Sequence, residues 1–254
     1  MTSTNETRND PPPIQVKTLR KSFGRQKVLN GIDLEVAQGE TVSVLGRSGT
    51  GKSVLLKILI GLQLPDSGSV RIHGQEISGL ALKPLNEIRK KIGFLFQNSA
   101  LYDSMTVEQN VAFPLERHSN LSDTQRKKRV RELLGTVGME KDLDKLPGEI
   151  SGGMQRRVGL ARALALSPDI LLFDEPTSGL DPITASEIDE LILRMQKEEN
   201  MTSIVVTHDI PSARRVSDRV ALMRDGQILI EGTFNELQQS KDKFVIEFLD
   251  REGG

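Results

Sequence analysis

The chain has no cysteine, and that absence removes thiol nucleophiles, disulfides, thiolate zinc sites and iron–sulfur ligation together. An excess of one charge is missing too. The 34 Lys and Arg stand against 35 Asp and Glu, a formal net charge of −1, which gives no electrostatic basis for broad nucleic-acid binding, so no nucleic-acid partner is expected. Long apolar runs are also lacking: the richest stretch, Val54 to Leu62, is broken by Lys57 and Gly61, far short of the roughly 18 residues that a spanning helix needs. Any work on a membrane must therefore involve another chain. Met1 to Pro13 is polar and ends in three prolines, without the apolar core of a secretory signal. It reads as a loose leader at the start of the mature chain. No internal repeat is visible.

What remains is ordinary globular material. The 254 residues are 37% hydrophobic with 22 Gly and 11 Pro, enough for one large domain or two small ones. Ile14 to Leu19 and the alternating Ile32, Leu34 and Val36 read as strands, separated by a polar loop from Arg20 to Lys27. Thr41 to Leu45 is a further β-type run that leads through a Gly-rich turn into an apolar helix from about Lys52 to Gly61. Val70 and Ile72 extend the early strands, and Ile92 to Phe96 is another strand, ending at Gln97. Val107 to Leu166 reads as helical, and the chain then returns to strands at Ile170 to Phe173, Ile204 to Val206, and a hairpin, Val220–Met223 with Gln227–Ile230, around Asp225-Gly226. The tail carries Phe244, Val245, Phe248 and Leu249 at helical spacing; such a stripe packs on its own domain or docks on a partner.

Gly46-Arg47-Ser48-Gly49-Thr50-Gly51-Lys52-Ser53 fits G-x-x-x-x-G-K-[ST] between a strand and a helix. The glycines let backbone N–H groups turn inward to phosphate oxygens, and the helix N-terminus adds its positive end. Lys52 would reach the β- and γ-phosphates and Ser53 would offer a hydroxyl to Mg²⁺. The loop alone separates neither ATP from GTP nor hydrolysis from transfer. Asp174 and Glu175 end an apolar strand, where ligand crevices of open α/β sheets lie; Asp174 can hold the metal, while Glu175, on the other side, can polarise an attacking water. Ser178 to Pro182 is an acidic turn, and His208 ends a strand where its donor could contact a γ-phosphate. His73 and His118 read as ordinary polar residues. Ile150-Ser151-Gly152-Gly153-Met154 opens a second helix whose start, capped by Ser151, can receive an anion. One cradle already exists, so a second makes sense if it serves another subunit's nucleotide.

With these motifs in this order, the chain resembles the nucleotide-binding subunit of ATP-binding-cassette (ABC) transporters from about Ile14 to Leu237. The resemblance implies an α/β fold: a P-loop NTPase core with an N-terminal antiparallel β subdomain and an inserted α-helical subdomain. The boundaries would be a leader at 1–13, the ATPase domain at 14–240 with its helical part at about 98–166, and a tail helix at 241–254. It implies that two subunits sandwich two ATP molecules head to tail, each held by residues 46–53 and Val54 of one chain and by Ser151, Gly152 and Gly153 of the other. Phe23 would stack on adenine, although core packing is the other reading of that ring. Asp181 would join the nucleotide contacts, and Ser53, Gln97 and Asp174 the magnesium contacts. Catalysis would fall to Glu175 as general base, with His208 and Gln97, the last also sensing the permease. Two departures stand out: Ile150 where Leu is usual, and Met154 where Gln is usual. The second removes an amide near the nucleotide.

The stretch from Gln97 through Tyr102 and Asn110 to Leu115, with Met154, resembles the ATPases of mammalian-cell-entry-type lipid transporters, including the maintenance-of-lipid-asymmetry system. That implies an integral-membrane permease docked near Gln97–Leu115, a lipid-binding shuttle or ring protein in the assembly, and a place on the cytoplasmic face of the inner membrane. Other readings stay open: an ABC subunit for another solute, a soluble ABC ATPase, a P-loop kinase and a nucleotide-dependent dimerisation switch. The basic run Arg126 to Arg131 reads either as a lipid-headgroup contact or as a solvated helix face.

Overall fold

The computed structural model describes residues 11–252. In chain order the elements are β1 (Ile14–Phe23), β2 (Gln26–Val36), β3 (Thr41–Leu45), α1 (Lys52–Leu59), β4 (Ser67–Ile72), β5 (Gln75–Glu76), α2 (Leu82–Arg89), β6 (Ile92–Leu95), α3 (Val107–His118) and α4 (Asp123–Thr136). They continue with a helical turn at Pro147–Glu149, α5 (Gly152–Ala163), β7 (Ile170–Asp174), α6 (Pro182–Glu199), β8 (Thr202–Thr207), α7 (Ile210–Val216), β9 (Arg219–Arg224), β10 (Gln227–Gly232), α8 (Phe234–Gln238) and α9 (Lys243–Glu252).

Two sheets organise the chain: an antiparallel one ordered β2-β1-β4-β5 and a six-stranded one ordered β10-β9-β3-β8-β7-β6. In the second, β9, β3, β8, β7 and β6 run parallel and β10 turns back antiparallel at the edge. The central strands β3, β7 and β8 are buried at every position, which explains the apolar runs Ile170–Phe173 and Ile204–Val206: a parallel sheet is covered on both faces, and only small hydroxyl residues such as Ser43 and Ser203 interrupt the apolar positions of β3 and β8. Alternate residues then feed different cores. Ile170, Leu172, Ile204 and Val206 join the cluster that holds α1 and the antiparallel sheet, while Leu171, Phe173 and Val205 join the cluster under α3, α5 and α6.

Several expectations need correction. The polar stretch Arg20 to Lys27 is not a loop: Lys21 pairs with Leu29, Ser22 with Lys27 and Phe23 with Gln26, leaving a turn of only two residues. Its charges mark the solvated face of a hairpin, which an antiparallel sheet tolerates. The leader is shorter than expected at its far end, since Pro13 is buried and its carbonyl accepts from the His73 amide at 2.9 Å; residues 1–10 of that leader lie outside the described residues. The acidic turn at residues 178–182 runs on into the 18-residue α6.

The helical insertion is built from local signals. Capping boxes start α3 (Thr106 with Gln109) and α4 (Ser122 with Gln125), each satisfying amides that the first helical turn leaves unpaired. On α4 the Arg126–Asp123 and Lys128–Glu132 ion pairs lie within the helix, and Arg129 donates to Ser167 Oγ, beyond the end of α5, at 3.0 Å, so these three basic residues of the run have partners within the chain. In the tail, Val245 and Phe248 of α9 are buried against Leu45, Ile210, Val220 and Leu222. The apolar stripe there packs on its own domain.

Candidate nucleotide site

Strand order decides the site. In the sequence β3 | β8 | β7 | β6 of neighbours, Leu45 is level with Thr207, Val206 with Asp174, and Phe173 with Leu95. The segments that follow these strands, Gly46 onward, His208, Glu175 and Gln97, therefore emerge side by side at the carboxyl edge of the sheet, where ligands of open α/β sheets bind.

At that edge a cavity of about 270 Å³ is lined by Val28, Ser48, Gly49, Gly51, Lys52, Ser53, Val54, Gln97 and Glu175. Gly51 closes the loop with φ 104°, and a side chain there would meet the Val28 carbonyl at 2.7 Å, so only glycine lets α1 start this close to β2. Lys52 is buried. Its Nζ donates to the carbonyls of Gly46 (2.7 Å) and Arg47 (3.3 Å) and lies 3.4 Å from Glu175 Oε1. Ser53 Oγ donates to Asp174 Oδ1 at 2.7 Å. Burial pushes the Asp174 carboxyl above its ordinary value; the Ser53 bond opposes this, and the neighbouring Glu175 adds to it.

Glu175 sits in the left-handed backbone region at φ 50°, a conformation that costs a non-glycine residue strain and collects at functional positions. Its Oε2 accepts from the His208 amide (3.3 Å) and contacts the ring Nδ1 (2.8 Å). Glu175 is thus gripped between Lys52 and His208. His208 is half exposed.

The other sequence candidates do not line this cavity. Ser151 caps α5, its Oγ accepting from the Met154 amide at 3.3 Å; Gly152 is exposed, and Gly153 is buried against Thr184. Asp181 caps α6, accepting from the amides of Ile183 and Thr184 (both 3.1 Å) and from Thr184 Oγ1 (2.6 Å). The Thr184 side-chain bond, then its backbone bond, holds the Asp181 carboxyl below the usual range. Phe23 ends β1, 45% exposed, with the Lys21 ammonium 5.4 Å from its ring centre; Val28, across the hairpin turn, reaches the cavity and Phe23 does not.

One residue passed over in the sequence ties these regions together. Arg156 of α5 is buried, and its guanidinium donates to the carbonyls of Phe96 (3.0 Å), Gln97 and Ser178 (3.3 Å), while its Nε finds no partner. Burial lowers its pKa and Asp174 partly offsets that. A cation three residues past the glycines looks like an ordinary helix charge, and only the fold reveals that it clips the Gln97 segment to the Ser178 turn. Asn110 was missed in the same way. It is fully buried, with its Oδ1 accepting from the Tyr102 amide (2.8 Å) and its Nδ2 donating to the carbonyls of Tyr102, Met105 and Thr106.

The family model described as ABC transporter matches residues 29–178, more than half of the chain. The chain belongs to the ABC transporter family. Over 237 residues it is 43% identical to the probable ribonucleotide transport ATP-binding protein mkl of Mycobacterium leprae, covering 93% of this chain and 68% of that protein. Over 239 residues it is 39% identical to the intermembrane phospholipid transport system ATP-binding protein MlaF of Haemophilus influenzae, covering 94% of this chain and 90% of MlaF. The dimeric post-hydrolysis structure of the ATP-binding cassette MJ0796 with ADP and Pi superposes with a TM-score of 0.81 at 36% identity, over 87% of this chain and 98% of that one. As an ABC cassette, the chain is an ATP-binding ATPase on an α/β P-loop fold. Among the described residues no helix is long and apolar enough to cross a membrane.

Proposed function

We propose that this ABC ATPase powers a separate permease that moves phospholipid or another lipid across or between bacterial envelope membranes, from the cytoplasmic face of the inner membrane. The observation that carries the lipid reading is the reach of the likeness to MlaF, which takes in 94% of this chain and 90% of MlaF, whereas about a third of mkl lies outside the match. Met154 in the signature segment supports the same reading.

Two copies close head to tail around two ATP molecules. The division of the site supports this: Ser151, Gly152 and Asp181 lie off the cavity that holds Lys52, Ser53 and Glu175, and MJ0796 was solved as a dimer with ADP and Pi. In the mechanism, the phosphates enter where Lys52 and the amides at the start of α1 converge. Lys52 exchanges Glu175 for the γ-phosphate, which frees the carboxylate to take a proton from the attacking water. His208, tied to Glu175 through Nδ1, turns its other ring nitrogen to the γ-phosphate. Ser53, Asp174 and Gln97 are oxygen donors that suit Mg²⁺. Among the described residues no group of three His, Cys, Asp or Glu could hold a metal alone, so phosphate oxygens would complete its shell; the ion would neutralise charge on the phosphates.

The permease docks in a groove of about 380 Å³ lined by Phe94, Phe96, Tyr102, Phe113, Pro114 and Arg162, within and beside the expected Gln97–Leu115 contact. Four of the nine aromatic residues of the chain gather there, the kind of enrichment that marks interaction surfaces. A lipid-binding shuttle or ring completes the assembly. A second reading, a non-lipid solute, rests on the 43% identity to mkl. Purification of the chain from detergent-solubilised membranes, with mass spectrometry of proteins and lipids, decides between them. Recovery of a permease with a lipid-binding component and phospholipid is expected; a permease with a soluble solute receptor would overturn the cargo.

A further inference from the structure

The phosphate loop is steadied from an unexpected direction. Arg47, its second residue, is exposed, and among the described residues its guanidinium makes no ion pair or hydrogen bond. It lies 5.6 Å from the centre of the Phe244 ring on α9, and the Arg224 guanidinium from the end of β9 lies 4.5 Å from the same ring. Both fall within the roughly 6 Å over which a cation is held by an aromatic face. The ring is itself anchored, because the next residue of α9, Val245, and Phe248 one turn on are buried in the same apolar cluster as Leu45, the residue that leads into the loop.

The main chain of Arg47 is where this grip matters. Its carbonyl accepts from the Thr50 amide (3.3 Å), Thr50 Oγ1 (2.8 Å) and Lys52 Nζ (3.3 Å). A ring that fixes the Arg47 side chain therefore fixes the carbonyl that orients the phosphate-binding lysine. We infer that Phe244 is a positioning residue of the nucleotide site: α9 pre-sets the phosphate loop through Arg47. This rests on the reading of residues 46–53 as the phosphate cradle.

Leucine at 244 keeps the apolar bulk and removes the π face; tyrosine keeps both. Equilibrium titration of the full chain with a fluorescent ATP analogue should show Phe244→Leu binding about threefold more weakly, the scale of one exposed cation–π contact. Phe244→Tyr should bind as the native chain does. Steady-state hydrolysis should show KM raised and kcat held, with the melting temperature close to native. Arg47→Ala should weaken binding by a similar factor, and the double variant should be no weaker than either single one. Native affinity in Phe244→Leu, equal losses in the Leu and Tyr variants, or additive effects of the two sites would overturn the inference. Lys52→Ala is the separate reference: native affinity there would overturn the phosphate-cradle reading and the inference with it.

Discussion

At the scale of single residues, the Lys52–Glu175–His208 chain of contacts makes the sharpest expectations. Lys52→Ala leaves the buried Glu175 carboxylate without its cation and the phosphates without theirs, so ATP binding should be lost in equilibrium titration. If Glu175 takes the proton of the attacking water as proposed, Glu175→Gln, which keeps the shape, should bind ATP and reduce hydrolysis by about 10²-fold or more, the usual scale for a general base. Normal turnover in that variant would remove Glu175 from the role. Asp189 of α6 gives a stability test. It is 4% exposed, accepts from Ser212 Oγ at 2.6 Å, and is pushed up to about 6, chiefly by burial, with Asp209 adding and Ser212 and Arg215 opposing. An acid whose folded pKa exceeds its unfolded one contributes fully below the unfolded value, and that contribution is lost as pH rises through about 6. Asp189→Asn should therefore flatten the fall in urea-unfolding free energy between about pH 4 and 7, a gain of roughly 1–3 kcal/mol at neutral pH. An unchanged profile would show that the ionised carboxylate costs nothing there. Lys52, Ser53, Asp174 and Glu175 were legible in the sequence because their chemistry is carried by type and spacing. Arg156 and Asn110 were not: the carbonyls that Arg156 holds lie up to 60 residues away, and Asn110 bonds main-chain groups of the adjacent loop, four to eight residues off, whose folding back onto α3 no hydrophobic period announces.

At the scale of elements, α5 and α6 meet start to start. A Cβ on Gly153 would run into Thr184 Cγ2, and Thr184 cannot turn aside because its Oγ1 is bonded to Asp181. Gly153→Ala should therefore push the two helix starts apart and lower ATP turnover several-fold. Adding Thr184→Ser, which deletes the obstructing methyl and keeps the hydroxyl, should restore most of it; failure of that rescue would place the effect elsewhere. The hydrophobic patterns found the buried parallel strands, whose positions are apolar or small and carry no charge before Asp174. The hairpin β1–β2 was cut short because its far half carries Arg20, Lys21, Arg25 and Lys27, and solvated charge on one sheet face looks like loop composition. Helix α6 was missed because the reading ended at the turn that caps it.

At the scale of the whole molecule, the order β3-β8-β7-β6 brings together chemistry spread from Gly46 to His208, and Arg156 joins it to the helical insertion. The sequence held the motifs that the sheet aligns and already set Ser151 to Gly153 apart from residues 46–53, but not that Asp181 falls on the Ser151 side, which depends on how α5 and α6 meet. That separation makes closure of two chains around ATP the central claim, and the molar mass of the Glu175→Gln chain by light scattering, with and without ATP, tests it most directly. The account predicts a doubling with ATP alone, abolished by adding Ser151→Glu although each single chain still binds nucleotide. A chain that binds ATP and stays monomeric, or a dimer indifferent to both ATP and Ser151, would contradict it.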